Sequence, residues 1–368
     1  TLDILEDAFT DIGQNSNTAL NGIIITEISD VVLPIVLGCK LNFSDGFLQI
    51  FASEHLDLTP TSNVDLSKLY LSNNAGGKEY NLLGSVIHNV ANERIITMTL
   101  TEETRAAALR ISSTPGGDGL ALVMDLEAGA IIDVSHNLIN EASGIAVEES
   151  DDTQSPIITL GGLDLDSGIL TVYVNETVDV TPGSYIVVDR FWLMNTPDVY
   201  GDAVTIPLST LVTNVDGQVF NISLESFEIA RAIAISGTPG GDGDAMVLDI
   251  LFGALRDIAG NKIRPASNIT VVEKPDVTPP VPFNATIFYQ TGLLFVESNE
   301  PMDLTPTSLV ILANIQIGDV SNTCDSVNFP EICSLTGAKV LPVNVWTMSI
   351  KTATITHAAG GAVTQNNG

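Results

Sequence analysis

The segments LQIFASEHLDLTPTS from Leu48, LTVYVNETVDVTPGS from Leu170 and LFVESNEPMDLTPTS from Leu294 are copies of one another, set 122 and then 124 residues apart. This period constrains the fold more than any other feature, because each copy must be a unit built in the same way. Glu54, Glu176 and Glu300 correspond, as do Asp57, Asp179 and Asp303, and Pro60, Pro182 and Pro306. ISSTPGGDG at Ile111–Gly119 recurs as ISGTPGGDG at Ile235–Gly243. The linkers recur as Asp30-x-x-x-Pro34, Asp152-x-x-x-Pro156 and Asp276-x-x-x-Pro280.

Each copy reads as β structure. Leu48, Ile50 and Ala52 alternate with Phe47, Gln49, Phe51 and Ser53, and Leu170, Val172 and Val174 repeat the pattern, as half-buried strands do. Further strands are expected in VDLSKLYLSN (64–73), ERIITMTL (93–100) and LALVMDLEAG (120–129). Between the last two, TEETRAAALRI reads as a short helix with Thr101 as its N-cap and acidic residues in its first turn. PGGDG then supplies a tight turn; it lacks the lysine and register of a phosphate loop. About seven strands per repeat point to an all-β chain of tandem Ig-like β-sandwiches, with a short helix in the full repeats. The expected boundaries are 1–29 for the closing strands of a preceding or neighbouring-subunit repeat, then 30–151, 152–275 and a shortened 276–368 lacking its last strand.

The string of a strand, (S/N)E-x-x-D-x-T-P, a closing AGA-x-x-D-x-x-GN and a D-x-T-P-P linker appears here as NETVDVTP, GALRDIAGN and DVTPPVP. It resembles Ig-like repeats of bacterial surface proteins and of secreted and hair-type appendage glycoproteins of algae and heterokont protists. The resemblance covers nearly all of the chain and implies an extracellular, non-enzymatic, structural or adhesive role.

Charge and cysteine content narrow the partners. The chain carries 45 acidic and 14 basic residues, a formal charge of −31. That excess excludes a nucleic-acid footprint and disfavours anionic membrane surfaces. The best apolar run, Gly22–Gly38, is interrupted by Glu27, Asp30 and Pro34, so no membrane insertion is expected. No signal-peptide pattern opens the sequence, which reads as a mature chain or a fragment of one. Cys324 and Cys333 bracket CDSVNFPEIC and are expected to form a local disulfide, leaving Cys39 as a buried thiol or an intermolecular link. Five N-x-S/T sequons, at Asn42, Asn175, Asn221, Asn268 and Asn284, point with this disulfide to a secreted chain bearing N-linked glycans.

No catalytic constellation is legible. His55, His88, His136 and His357 fall at non-equivalent positions, and no H-E-x-x-H, G-x-S-x-G or nucleotide-binding loop is present. The repeated acids offer two readings. Glu27 with Asp30, Glu149 with Asp152, and Glu273 with Asp276, with Glu54/Asp57 and their copies near domain ends, would gather oxygen ligands for Ca²⁺ at a junction; otherwise Asp57-x-Thr59-Pro60 is turn chemistry and the linker acids are solvated, and no other cofactor is expected.

The chain opens TLDILEDAFTDIGQN, a near copy of VLDILFGALRDIAGN at Val247–Asn261. Leu2 and Ile4 match Leu248 and Ile250, and Ile23 and Ile25 match Ile269 and Val271. The sequence thus reads as carrying a surplus closing strand at its head and lacking one at its tail. Either it is cut from a longer array, or the N-terminal segment completes the last sandwich of the next subunit. The expectation is an extracellular structural glycoprotein, a subunit or segment of a filament or surface appendage that self-associates head to tail. The alternative is an adhesin or a calcium-stiffened cell-surface binding stalk.

Overall fold

A computed structural model of the chain describes residues 1–195, 203–304, 306–317, 335–341 and 352–356. The protein is all-β, and it divides into two compact units, Thr1–Thr153 and Gln154–Gly368.

The first unit opens with a hairpin, β1 (Leu2–Ile4) and β2 (Leu20–Ile23), which forms a two-stranded sheet of its own. Then follow β3 (Val36–Asn42), β4 (Phe47–Ala52), β5 (Leu69–Ser72), β6 (Tyr80–Asn81), β7 (Val86–Ile87) and β8 (Ile95–Thr99). Helix α1 (Glu102–Arg110), β9 (Val123–Leu126) and β10 (Ala142–Ser150) complete it. The strand order is β6-β5-β9-β10-β3-β4-β8-β7. These strands form the two faces of a sandwich joined through β10. Its first half runs antiparallel to β9, with Ile145 opposite Met124, and its second half runs parallel to β3, with Val147 opposite Cys39.

The alternation in β4 seats Leu48, Ile50 and Ala52 in the core, and Leu41, Leu69, Leu71, Ile96, Met98, Met124 and Leu126 close around them. Segment 64–73 departs from the expected single strand. Asp65 accepts the Ser67 N–H at 3.2 Å and turns Leu66–Lys68 into a 3₁₀ turn, so only β5 is extended. Thr101 caps α1 by accepting the Thr104 N–H at 3.1 Å. The PGGDG turn needs its second glycine, since a Cβ on Gly117 would lie 2.1 Å from the Ser112 carbonyl oxygen, and Gly241 meets Ser236 in the same way.

The second unit repeats this plan with β11 (Ile158–Asp164), β12 (Ile169–Val178), β13 (Phe191–Met194), β14 (Val204–Thr205) and β15 (Thr210–Leu211). It continues through β16 (Gly217–Ser223), helix α2 (Ser226–Ala234), β17 (Val247–Ile250) and β18 (Ala266–Lys274), in the same order of strands. Here β18 switches sheets as β10 does, antiparallel to β17 and then parallel to β11, with Val271 opposite Gly161. The same unit also holds β19 (Pro282–Phe288), β20 (Leu293–Ser298), β21 (Lys339–Leu341) and β22 (Thr352–Thr356), a four-stranded sheet in the order β19-β20-β22-β21. Leu294 and Leu335 are its buried centre, flanked by Ile287, Val296, Leu312 and Ile315.

The first sandwich and α1 are tied by one buried cation. Arg105 donates to the Phe43 carbonyl at 2.7 Å, to Asp152 at 2.8 Å, and to both oxygens of Glu102. Removing one member of such a buried pair is costly because the remaining charge keeps its desolvation penalty. We expect Arg105→Met to lower the unfolding free energy by about 3 kcal/mol, read from the urea midpoint of the purified chain.

Candidate functional site

Three carboxylates converge at one end of the first sandwich: Asp30 in the segment before β3, Glu54 just past β4, and Asp133 in the turn between β9 and β10. One oxygen of each lies within 4.8 Å of the others. Local backbone pairing makes this meeting. Leu56 forms an antiparallel bridge with Asp133, the Asp57 N–H donates to the Ile132 carbonyl at 3.0 Å, and the Ser53 N–H donates to the Ile35 carbonyl at 2.9 Å. These contacts hold the end of β4 between the linker and the closing turn.

The three acids are held differently. Asp133 is fully buried; its oxygens accept the N–H groups of Ser135 and Asn137 and the Asn137 side-chain amide, each at 2.8 Å. Burial alone would raise its pKa, but these donors outweigh it and hold the carboxyl below the ordinary aspartate range. Asp30 is exposed and accepts the Val32 N–H at 2.9 Å. Glu54 is the strained member. Its Oε1 is buried without a hydrogen-bond partner, and burial together with the charges of Asp30 and Asp133 raises its pKa against the opposing pull of Arg94.

Part of this arrangement recurs before the third repeat. Glu300 Oε1 is likewise buried without a partner, and burial with the charges of Asp276 and Asp166 raises the Glu300 pKa. Asp276 and Asp166 both accept the Thr278 N–H. An all-oxygen donor set of this kind suits a hard divalent cation such as Ca²⁺, and would supply part of its shell of six to eight ligands.

Of the expected ligands, Glu149 and Glu273 lie elsewhere. Glu149 accepts the Ser113 N–H and hydroxyl at 2.9 and 2.6 Å and also the Leu122 N–H, fastening the PGGDG turn to β10. Glu273 does the same for Gly237 and Met246. Their oxygens serve the fold. Asp152 is buried against Arg105, and Asp276 stands with Glu300. The sequence reading missed Asp133 as a site residue. The signal was the recurring aspartate of the closing motif, Asp133 and Asp257, which reads equally well as turn chemistry.

The remaining expected residues are placed as follows. Cys39 is a free, buried thiol whose Sγ lies 3.4 Å from the sulfur of Met124, and burial pushes its pKa up to about 12. That resolves its two readings in favour of the inert thiol. Cys324 and Cys333 lie outside the described residues. Asn175, Asn268 and Asn284 are exposed, whereas Asn42 and Asn221 are half-buried. Leu2, Ile4, Ile23 and Ile25 fall on or just after the N-terminal hairpin, where Leu2 and Ile25 are 47% and 50% exposed.

No family model matches the chain, and no curated protein does. Two solved chains titled as a marsupial T cell receptor align with 72% and 74% of this chain, and with 80% and 81% of their own length. The identities are 9% and 10% and the TM-scores 0.15 and 0.16, so the likeness adds nothing to the strand topology, on which the sandwich assignment stands. No helix among the described residues is long and apolar enough to cross a membrane.

The raised pKa of Glu54 has a defined sign. A carboxyl whose folded pKa lies above its unfolded value favours folding when protonated, and this contribution is lost as pH rises through the folded pKa. In metal-free buffer at neutral pH, Glu54→Gln is therefore expected to stabilise the chain by about 1 kcal/mol or less. Added Ca²⁺ should raise the melting temperature of the wild type by more than that of Glu54→Gln, and an equal rise in both would remove Glu54 as a ligand. Both can be read from melting curves with EDTA or CaCl₂.

Proposed function

We propose that the chain is a non-enzymatic, extracellular structural glycoprotein, a segment or subunit of a filament or surface appendage built head to tail from Ig-like repeats. One observation carries this reading. The eight-stranded sandwich is built twice in one strand order, and its closing hairpin recurs again as β1–β2, which is the serial architecture of a structural array.

The surface chemistry supports the same environment. A charge of −31 keeps such units soluble and mutually repelling except where strand edges meet. Exposed sequon asparagines at Asn175, Asn268 and Asn284 offer places for N-linked sugar that leave the cores untouched. A second reading, a calcium-stiffened binding stalk, is favoured by the Asp30–Glu54–Asp133 cluster.

Two measurements test the reading. Negative-stain electron microscopy of the concentrated native protein should show filaments, and a uniform field of single particles would contradict assembly. Glycopeptide analysis of native material should find sugar on Asn175, Asn268 and Asn284, with lower occupancy at the half-buried Asn42 and Asn221. Five unmodified asparagines would remove the extracellular glycoprotein reading.

A further inference from the structure

We propose that the glycan on Asn175 has a seat on the second sandwich itself, an apolar strip of the outer sheet face formed by Leu160, Tyr173 and Val219. This deepens the glycoprotein reading and rests on it.

Asn175 is built to hold a sugar in one direction. It lies on the outer face of β12, between the buried Val174 and Glu176. Its backbone N–H donates to the Ile157 carbonyl at 3.0 Å, and its side-chain Oδ1 accepts the Ile157 N–H at 2.7 Å. Both bonds fix the side chain and turn Nδ2, the atom that carries an N-linked sugar, away from Ile157. Among the described residues that nitrogen donates to no protein acceptor, whereas Asn284 spends its Nδ2 on Glu297 at 3.0 Å. Attachment therefore leaves the Oδ1 bond intact. An oligosaccharide pyrophosphate supplies the sugar: the Nδ2–C1 bond forms, the C1–O bond to pyrophosphate breaks, and one amide proton is lost.

The strip begins two residues back on the same strand, roughly 7 Å away. Tyr173 shares the outer face with Asn175 and stands opposite Leu160 on β11 and Val219 on β16. Tyr173 and Val219 are 40% and 42% exposed, and Leu160 is half-buried. Thr171 and Asn221, a cross-strand pair, bound the strip with polar groups. The carbon-bound hydrogens of a pyranose ring form an apolar face suited to an aromatic ring, while its hydroxyls meet polar neighbours.

Size and charge select this occupant. Three side chains fall far below the roughly 800 Å² per partner of a stable protein interface, so a second copy is not what the strip fits. The strip carries no charge in a chain of −31, which repels copies and acidic partners but not a neutral saccharide. The covalent tether also holds the sugar at high effective concentration, so weak stacking suffices. The first sandwich provides an internal contrast. Its matching row is Gly38, Phe51 and Ile95, with Phe51 and Ile95 half-buried, and Ser53 stands where Asn175 does, accepting the Ile35 N–H at 3.0 Å. The more exposed aromatic thus occurs where a sugar can be attached.

The test uses the full chain secreted from a eukaryotic host, as wild type, Tyr173→Thr and Val219→Thr. Threonine keeps a strand-forming residue at each position, and melting curves check the fold. Native protein is treated with an amidase that releases N-linked glycans, and release at each site is followed by glycopeptide mass. Release from Asn175 is expected to be at least about fivefold faster in Tyr173→Thr than in wild type, with release from Asn268 unchanged. Isotope-edited nuclear Overhauser contacts should join the Tyr173 ring to the first sugars. Equal release from Asn175 in all three proteins, with no such contact, would overturn the seat and spare the glycoprotein reading. Sugar at other sequons but none at Asn175 would also overturn the seat alone. Sugar at none of the five would remove both.

Discussion

The sandwich depends on a buried carboxylate. Asp125 on β9 is fully buried and accepts N–H groups from Gly76, Lys78 and Gly144 and the hydroxyl of Ser72. Burial would raise its pKa, but the backbone donors prevail and keep it ionised below the ordinary aspartate range. By holding the Gly144 N–H, Asp125 pins the bulge in the β9–β10 pairing, just before β10 leaves β9 and pairs with β3 from Val147 onward. A single strand therefore belongs to both faces of the core, and the first and last strands of the repeat are neighbours. Its contribution to stability is present above the unfolded aspartate pKa and is lost as pH falls through the lower folded value.

That arrangement also places the acids. Because the closing turn leads into the shared strand, Asp133 is drawn to the same end as the linker, and Glu54 is caught between it and Asp30. The closing hairpin also carries its own geometry: the aspartate, the bulge and the D-x-x-x-N turn recur in the β1–β2 hairpin, where Gly22 donates to Asp3 and Asn15 to Asp11.

The fold was legible in the sequence because alternation and repetition act locally. β4, β12 and α1 fall where period and capping place them, and the PGGDG turn follows from its glycines. Segment 64–73 departs from a single strand because one side chain, Asp65, competes with the strand for the backbone. Glu149 and Glu273 depart from the expectation for a similar reason. Equal spacing in sequence cannot tell a glutamate that binds Ser113 from one that faces a linker, since the partners lie 36 residues away. Asp133 was hidden because a turn aspartate and a cation ligand share the same sequence signature.

The central claim is that the buried Asp125 carboxylate holds the closing strand that belongs to both sheets of the sandwich. Segment-resolved hydrogen exchange of Asp125→Asn beside the wild type tests it most directly. The account predicts that residues 142–150 are protected in the wild type and that the substitution speeds their exchange, while residues 266–274 of the second sandwich stay protected. Equal protection of 142–150 in the two proteins would contradict it.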